Sequence, residues 1–140
     1  MKNMIRIALV SLGIIMLTSC ARTIRFDKSV IAPGAEGKVL LKEDKNDNYS
    51  FNIKVANLAK PKDLTPSRSL YIVWMDTPGS GTKNMGQLKS TAPLFTKALK
   101  ASMKTVSTFK PSRIFITAED NASVEYPSGQ EVLSTGSILQ

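Results

Sequence analysis

Four apolar side chains, Tyr49, Phe51, Ile53 and Val55, alternate with Ser50, Asn52, Lys54 and Ala56. A period of two with one apolar face describes a half-buried strand, because a helix would scatter the same four residues around its circumference. Before it, Glu43-Asp44-Lys45-Asn46-Asp47-Asn48 is wholly polar and rich in turn formers, which predicts a hairpin tip, and Lys38 to Lys42 predicts its other strand. Leu70-Tyr71-Ile72-Val73-Trp74-Met75 is apolar in both phases and predicts a central strand covered on both sides, with Trp74 as an anchor between two sheets. The segment 76–81 turns the chain, and a strand returns through Asn84-Met85-Gly86-Gln87-Leu88, where Gly86 marks a bulge or a close backbone approach. Alternation resumes from Lys97 to Val106, with Leu99, Ala101 and Met103 in one phase and Lys100, Ser102 and Lys104 in the other. Arg113 to Ala118 is a second strongly apolar strand, and a long loop leads to a last one near Glu131-Val132-Leu133. Gly129 and Gly136 read as turn positions with positive φ.

No amphipathic helix, internal repeat or low-complexity tract interrupts this pattern. About seven strands with turn signals every 8 to 12 residues predict an all-β fold, an antiparallel sandwich of the immunoglobulin-like kind, with a barrel as the alternative. Two prolines, Pro61 and Pro66, make the stretch between the second and third of these strands a connection rather than a helix or central strand.

The start of the chain follows a different rule. Lys2 and Arg6 precede an apolar run from Ile7 to Leu17, long enough for the h-region of a signal peptide and shorter than the roughly 20 residues a bilayer span requires. Leu17-Thr18-Ser19-Cys20 resembles the lipobox of bacterial lipoproteins. That resemblance implies diacylglycerol on the Cys20 sulfur, cleavage before Cys20 by signal peptidase II, and acylation of the new amino group. The expected organisation is a leader over 1–19, a lipidated cysteine with tether and edge segment over 20–37, and a sandwich domain over 38–140. Ala21 is not aspartate, so the inner-membrane retention rule of enteric-type bacteria does not apply. The outer membrane, facing the periplasm, is the expected location, or the outer face of the cytoplasmic membrane in a cell without an outer membrane.

A second resemblance covers residues 69 to 136. Leu70 to Met75 followed by Asn84 to Leu88, and Phe115-Ile116-Thr117-Ala118-Glu119 followed by Pro127-Ser128-Gly129 and Val132 to Gly136, resemble two structural motifs of the extracytoplasmic domain of anti-sigma-K factors. It implies a β-sandwich outside the cytoplasmic membrane. It does not imply sigma-factor inhibition, because the quoted motifs leave out the sigma-binding part of that family.

Composition narrows the chemistry. Histidine is absent and Cys20 is the only cysteine, so imidazole bases and cysteine–histidine zinc sites are excluded, and an acylated Cys20 leaves no thiol nucleophile. A Ser–Lys dyad, for which Lys89-Ser90 and Lys100 with Ser102 are formal candidates beside Ser67, Ser69, Thr117 and Ser128, needs a buried lysine. The lysines fall on polar phases instead. No enzymatic role and no cofactor is expected. Asp44-Lys45-Asn46-Asp47-Asn48 places oxygens like the start of an EF-hand, but Tyr49 and Val55 stand where glycine and glutamate are required, so a solvated tip is the better reading. Glu119-Asp120-Asn121 meets a similar objection.

Without Lys2 and Arg6, 17 basic and 11 acidic residues remain, a net charge of +6. The outward phases gather Lys54, Lys100 and Lys104, with Lys89 and Lys60 to Lys62 nearby, as a candidate patch for an anionic partner. The bland alternative is a charged surface that keeps a sheet soluble and blocks edge pairing. Expected partners are membrane lipid through Cys20 and an envelope protein or polymer. Nucleic acid is not expected. A sensory or regulatory partner of a membrane protein, and a small-ligand or ion carrier, are the competing functions.

Overall fold

In the computed structural model, residues 20–91 and 98–139 are described, and all the architecture below lies within them. The leader 1–19, with Leu17, Thr18 and Ser19, lies outside the described residues, as does Lys97. Nine strands form: β1 (Cys20–Arg25), β2 (Glu36–Glu43), β3 (Tyr49–Leu58), β4 (Leu70–Thr77), β5 (Gly81–Gln87), β6 (Lys89–Thr91), β7 (Leu99–Ser107), β8 (Arg113–Glu119) and β9 (Glu131–Ser134). One turn of 3-10 helix at Pro61–Asp63 joins β3 to β4.

The strands make two antiparallel sheets, one in the order β1-β2-β3-β7-β6 and one in the order β5-β4-β8-β9. Lettered from β2 onward as A, B, C, C′, D, E, F and G, these are an ABED sheet and a C′CFG sheet, the immunoglobulin-like arrangement. β1 is an additional strand outside A. It pairs with β2 over its whole length, from Cys20 opposite Glu43 to Arg25 opposite Lys38. Within the expected tether and edge segment, residues 20–25 are thus a paired edge strand from the first described residue onward. Two strands beyond the expected seven, β1 and β6, are both edge strands, and their short, mostly polar sequences lack the buried phase that makes β3 legible.

Period-two patterning explains the core. Val39 and Leu41, Phe51, Ile53 and Val55, Tyr71, Val73 and Met75, and Ile114, Ile116 and Ala118 all point between the sheets and are buried there. Each such side chain contributes about 1.5–3 kcal/mol when fully removed from water, so these inward phases dominate stability.

β4 is covered on both faces as expected, but the sidedness of Trp74 differs from the expectation. Tyr71, Val73 and Met75 face the sandwich core, whereas Ile72 and Trp74 form a separate cluster with Phe115 on the outer face of the four-stranded sheet. Leu70 and Val124 pack against that cluster. The loop between β8 and β9 covers it, held by Asn84 Nδ2, which donates to the Ala122 carbonyl (3.1 Å) and the Val124 carbonyl (2.8 Å). An apolar run shows that both faces are buried and leaves open what buries each one.

Two glycines have defined roles. Gly86 has φ +113° and sits where the β4–β5 register shifts, a bulge in which a side chain would be strained. Gly129 is not at positive φ, contrary to expectation. A Cβ there would lie 1.6 Å from the Ala118 carbonyl oxygen, so close approach is what requires glycine. Gly136 likewise lacks a positive φ, and a Cβ there would meet nothing within 4 Å.

Candidate functional site

Strand register decides which outward side chains become neighbours. In the five-stranded sheet, residues paired in the outward phase lie side by side, about 5 Å apart at Cβ. One row runs Arg25, Lys38, Lys54, Ser102, Lys89 across all five strands. The next runs Thr23, Leu40, Asn52, Lys104, and the one after it Ala21, Lys42, Ser50, Val106. On the other side of the first row, Lys100 pairs with Thr91, and Glu36 pairs with Ala56.

The outer face of this sheet thus carries seven cations, Arg25, Lys38, Lys42, Lys54, Lys89, Lys100 and Lys104, all exposed, and one carboxylate, Glu36. The register brings together Lys54, Lys100 and Lys104, which outward phase singles out, and Lys89, expected nearby. Arg25, Lys38 and Lys42 join them only because β1 and β2 pair on the same side of β3, which the sequence does not reveal. Lys60 and Lys62 belong to none of these rows and lie on the connection to β4.

Electrostatically the face is uncompensated. The ion pairs among the described residues join Arg68 to Asp120 (2.7 Å), and Arg113 to Asp76 (3.3 Å) and to Glu131. None of the seven cations takes part. Like charges directly opposite each other across strands are destabilising, so Arg25, Lys38 and Lys54 in one row cost the fold some stability. At the Arg25 end the face dips into an open concavity of about 740 Å³ whose lining includes Lys38, Lys54, Lys89 and Lys100 together with two carboxylates, Asp27 and Glu36.

Cys20 stands at the opposite end of β1 from Arg25. Its thiol is free and exposed. Arg22 beside it donates to the Ile138 carbonyl at 3.0 Å, fastening the beginning of β1 to the chain's last described segment. Val106, 75 % exposed, lies on the same face, in the row that begins with Ala21.

The other candidates have local duties. Asp44 accepts from the Asn46 and Asn48 backbone N–H groups (2.8 and 3.0 Å) and from Asn48 Nδ2, and these bonds, that from the Asn48 side chain first, hold its carboxyl below the ordinary value. The carboxylate closes its own turn. Glu119 is 1 % exposed and turned toward the β8–β9 loop. Its Oε1 accepts from Thr117 Oγ1 (2.7 Å) and from the backbone N–H groups of Ser128 and Gly129 (each 3.0 Å), and its Oε2 from Ser128 Oγ (2.7 Å). Trp74 Nε1 in turn donates to Thr117 Oγ1 at 2.8 Å. Burial alone would raise the Glu119 carboxyl. The hydrogen bonds from Ser128, Gly129 and Thr117 outweigh it and hold the group below the ordinary glutamate value.

Asp120 pairs with Arg68, and Asn121 Oδ1 accepts from the Ser123 backbone N–H. Hence Glu119, Asp120 and Asn121 point to three different partners rather than to one ion. Among the described residues, no group of three or more cysteine, aspartate or glutamate side chains is placed to hold a metal. Also among them, no helix is long and apolar enough to cross a membrane. Comparison of the chain with protein-family models, curated proteins and solved structures finds no match.

Proposed function

We propose that this chain is a non-enzymatic envelope lipoprotein, a β-sandwich held to a membrane by acyl chains on Cys20 and serving as a binding or structural module on the periplasmic side. The observation that carries the reading is the position of Cys20. Its thiol is exposed at the first residue of β1 and follows a leader sequence with the charge, length and small residues of a lipoprotein signal. A buried cysteine would have to leave the core to be acylated. This one would not. Two or three acyl chains, each stabilised by about 0.8 kcal/mol per buried methylene, make a lasting anchor where one chain is marginal.

The non-enzymatic part rests on the side chains available. Histidine is absent, the one thiol is the acylation site, and the buried carboxylate Glu119 spends both oxygens on its own loop. The lysines of the formal Ser–Lys pairs, Lys89 and Lys100, are exposed. What the surface offers instead is the cationic face, suited to an anionic partner.

A second reading, an extracytoplasmic partner of a membrane sensor, is favoured by one observation. The stretches that resemble the anti-sigma-K domain fall on β4, β5, β8 and β9, which together are the whole four-stranded sheet. Cross-linking in intact cells that captures a membrane regulator through that sheet would support it.

Metabolic labelling with palmitate tests the leading proposal. The wild-type chain is expected to take up label and partition with membranes, and Cys20→Ser to do neither. Label retained by Cys20→Ser would remove the anchor.

A further inference from the structure

We propose that the outer face of the five-stranded sheet lies flat on the anionic surface of the bilayer that holds the Cys20 anchor. The orientation rests on the lipoprotein reading above, and the affinity of the face for anionic lipid does not. Three observations lead to it.

The first is charge. Seven cations and a single carboxylate occupy one side of a sheet, and among the described residues none of the seven has an ion-pair partner. A row of like charges across neighbouring strands is unfavourable in the free domain. An anionic surface relieves that repulsion, and several spaced headgroups match cations spread over five strands better than one small anion does. Juxtamembrane lysines and arginines are drawn to anionic leaflets in this way.

The second is the placement of the anchor. Cys20 belongs to the edge strand of the same sheet, with no spacer between it and the fold. At about 3.3 Å per residue along a strand and about 4.8 Å between strands, all seven cations lie within roughly 27 Å of Cys20. A flexible tether would allow any orientation. This junction restricts the domain to tilting about one corner of the cationic face.

The third is screening. At physiological ionic strength a charge is felt over about 8 Å. If the sandwich stood upright on its Cys20 end, Arg25, Lys38 and Lys100 would be beyond that range. Lying flat, the whole array is within it. Ala21, next to Cys20, shares this face with Lys42 and, three strands across, the exposed Val106, whereas the Cys20 side chain falls on the opposite phase with Glu43 and Tyr49.

The test uses the mature chain, residues 20–140 with Cys20→Ser, since both sheets and the core lie within residues 20–139. Sedimentation with phosphatidylcholine vesicles, with and without phosphatidylglycerol, measures binding at low and high salt. Binding to the phosphatidylglycerol vesicles alone is expected, weakening on the order of tenfold or more at high salt. It should weaken at least as much in a Lys38→Glu, Lys54→Glu, Lys89→Glu, Lys100→Glu variant whose circular dichroism is unchanged.

A second variant, Lys60→Glu with Lys62→Glu, carries charge reversals away from the face and should bind as wild type. Equal loss in both variants would overturn the proposal, because it would show a response to net charge rather than to this face. So would equal binding to both vesicles, or no vesicle binding together with tight binding of inorganic polyphosphate. The chain carries no lipid, so the result is independent of acylation. Missing palmitate at Cys20 overturns the anchor, and missing vesicle binding here overturns the docking face.

Discussion

At the scale of single residues, the tightest constraints lie under the β8–β9 loop. Glu119, Thr117 and Phe115 share the outward phase of β8, so one carboxylate lies beside an apolar cluster and must be fully hydrogen-bonded to remain there. Glu119→Gln keeps the shape but cannot accept at both side-chain positions, and should cost about 2 kcal/mol at neutral pH by chemical denaturation. Because the folded-state pKa lies below the ordinary 4.5, this contribution is complete above that value and is lost as pH falls through the folded pKa. Wild type and variant should therefore converge in stability only once pH has fallen through the lowered folded-state pKa of Glu119. A gap that persists into acid would contradict the hydrogen-bonded carboxylate. Gly129→Ala must push the loop off the Ala118 carbonyl, and should destabilise by about 2–3 kcal/mol in the same denaturation experiment. None of this was legible. In the sequence Glu119 is simply the first of three polar residues after a strand, and nothing local reveals that a loop ten residues on folds back over it.

At the scale of elements, the legible strands were those whose two phases differ or are both apolar. β3, β4 and β8 declare themselves because Phe51, Trp74 or Ile116 stands next to residues of known phase. β1 and β6 do not, since an edge strand exposes both faces and one backbone rim, leaving almost no apolar phase to read. The cationic face shows the same limit. Lys54 and Lys104 can be put on outward phases from their own strands, but the neighbours that turn four lysines into seven cations depend on pairing between distant segments. Repulsion within the Arg25–Lys38–Lys54 row predicts that added salt raises the thermal midpoint of the wild type. It further predicts that Lys54→Glu, which places an acid between a lysine and two neighbouring strands, raises that midpoint at low salt and flattens the salt dependence. A midpoint that falls with salt, or a Lys54→Glu variant less stable than wild type, would show that the row is already compensated.

At the scale of the whole molecule, the chain from residue 20 combines a net charge of +6 with a strongly uneven distribution. The four-stranded sheet covers its outer face with the β8–β9 loop and pairs Arg113 with two carboxylates, whereas the five-stranded sheet leaves its cations open. A lipid at Cys20 would attach to the edge strand of the second of these sheets. Fold class follows from periodicity alone. The asymmetry between the two faces is visible only once the sheets are assembled. Intact mass spectrometry of the protein purified from its native host tests the anchored sandwich most directly. The account predicts a chain starting at Cys20 whose mass exceeds that of residues 20–140 by a diacylglyceryl group with or without an amide-linked acyl chain. A chain that retains Met1 and carries an unmodified Cys20 thiol would contradict it.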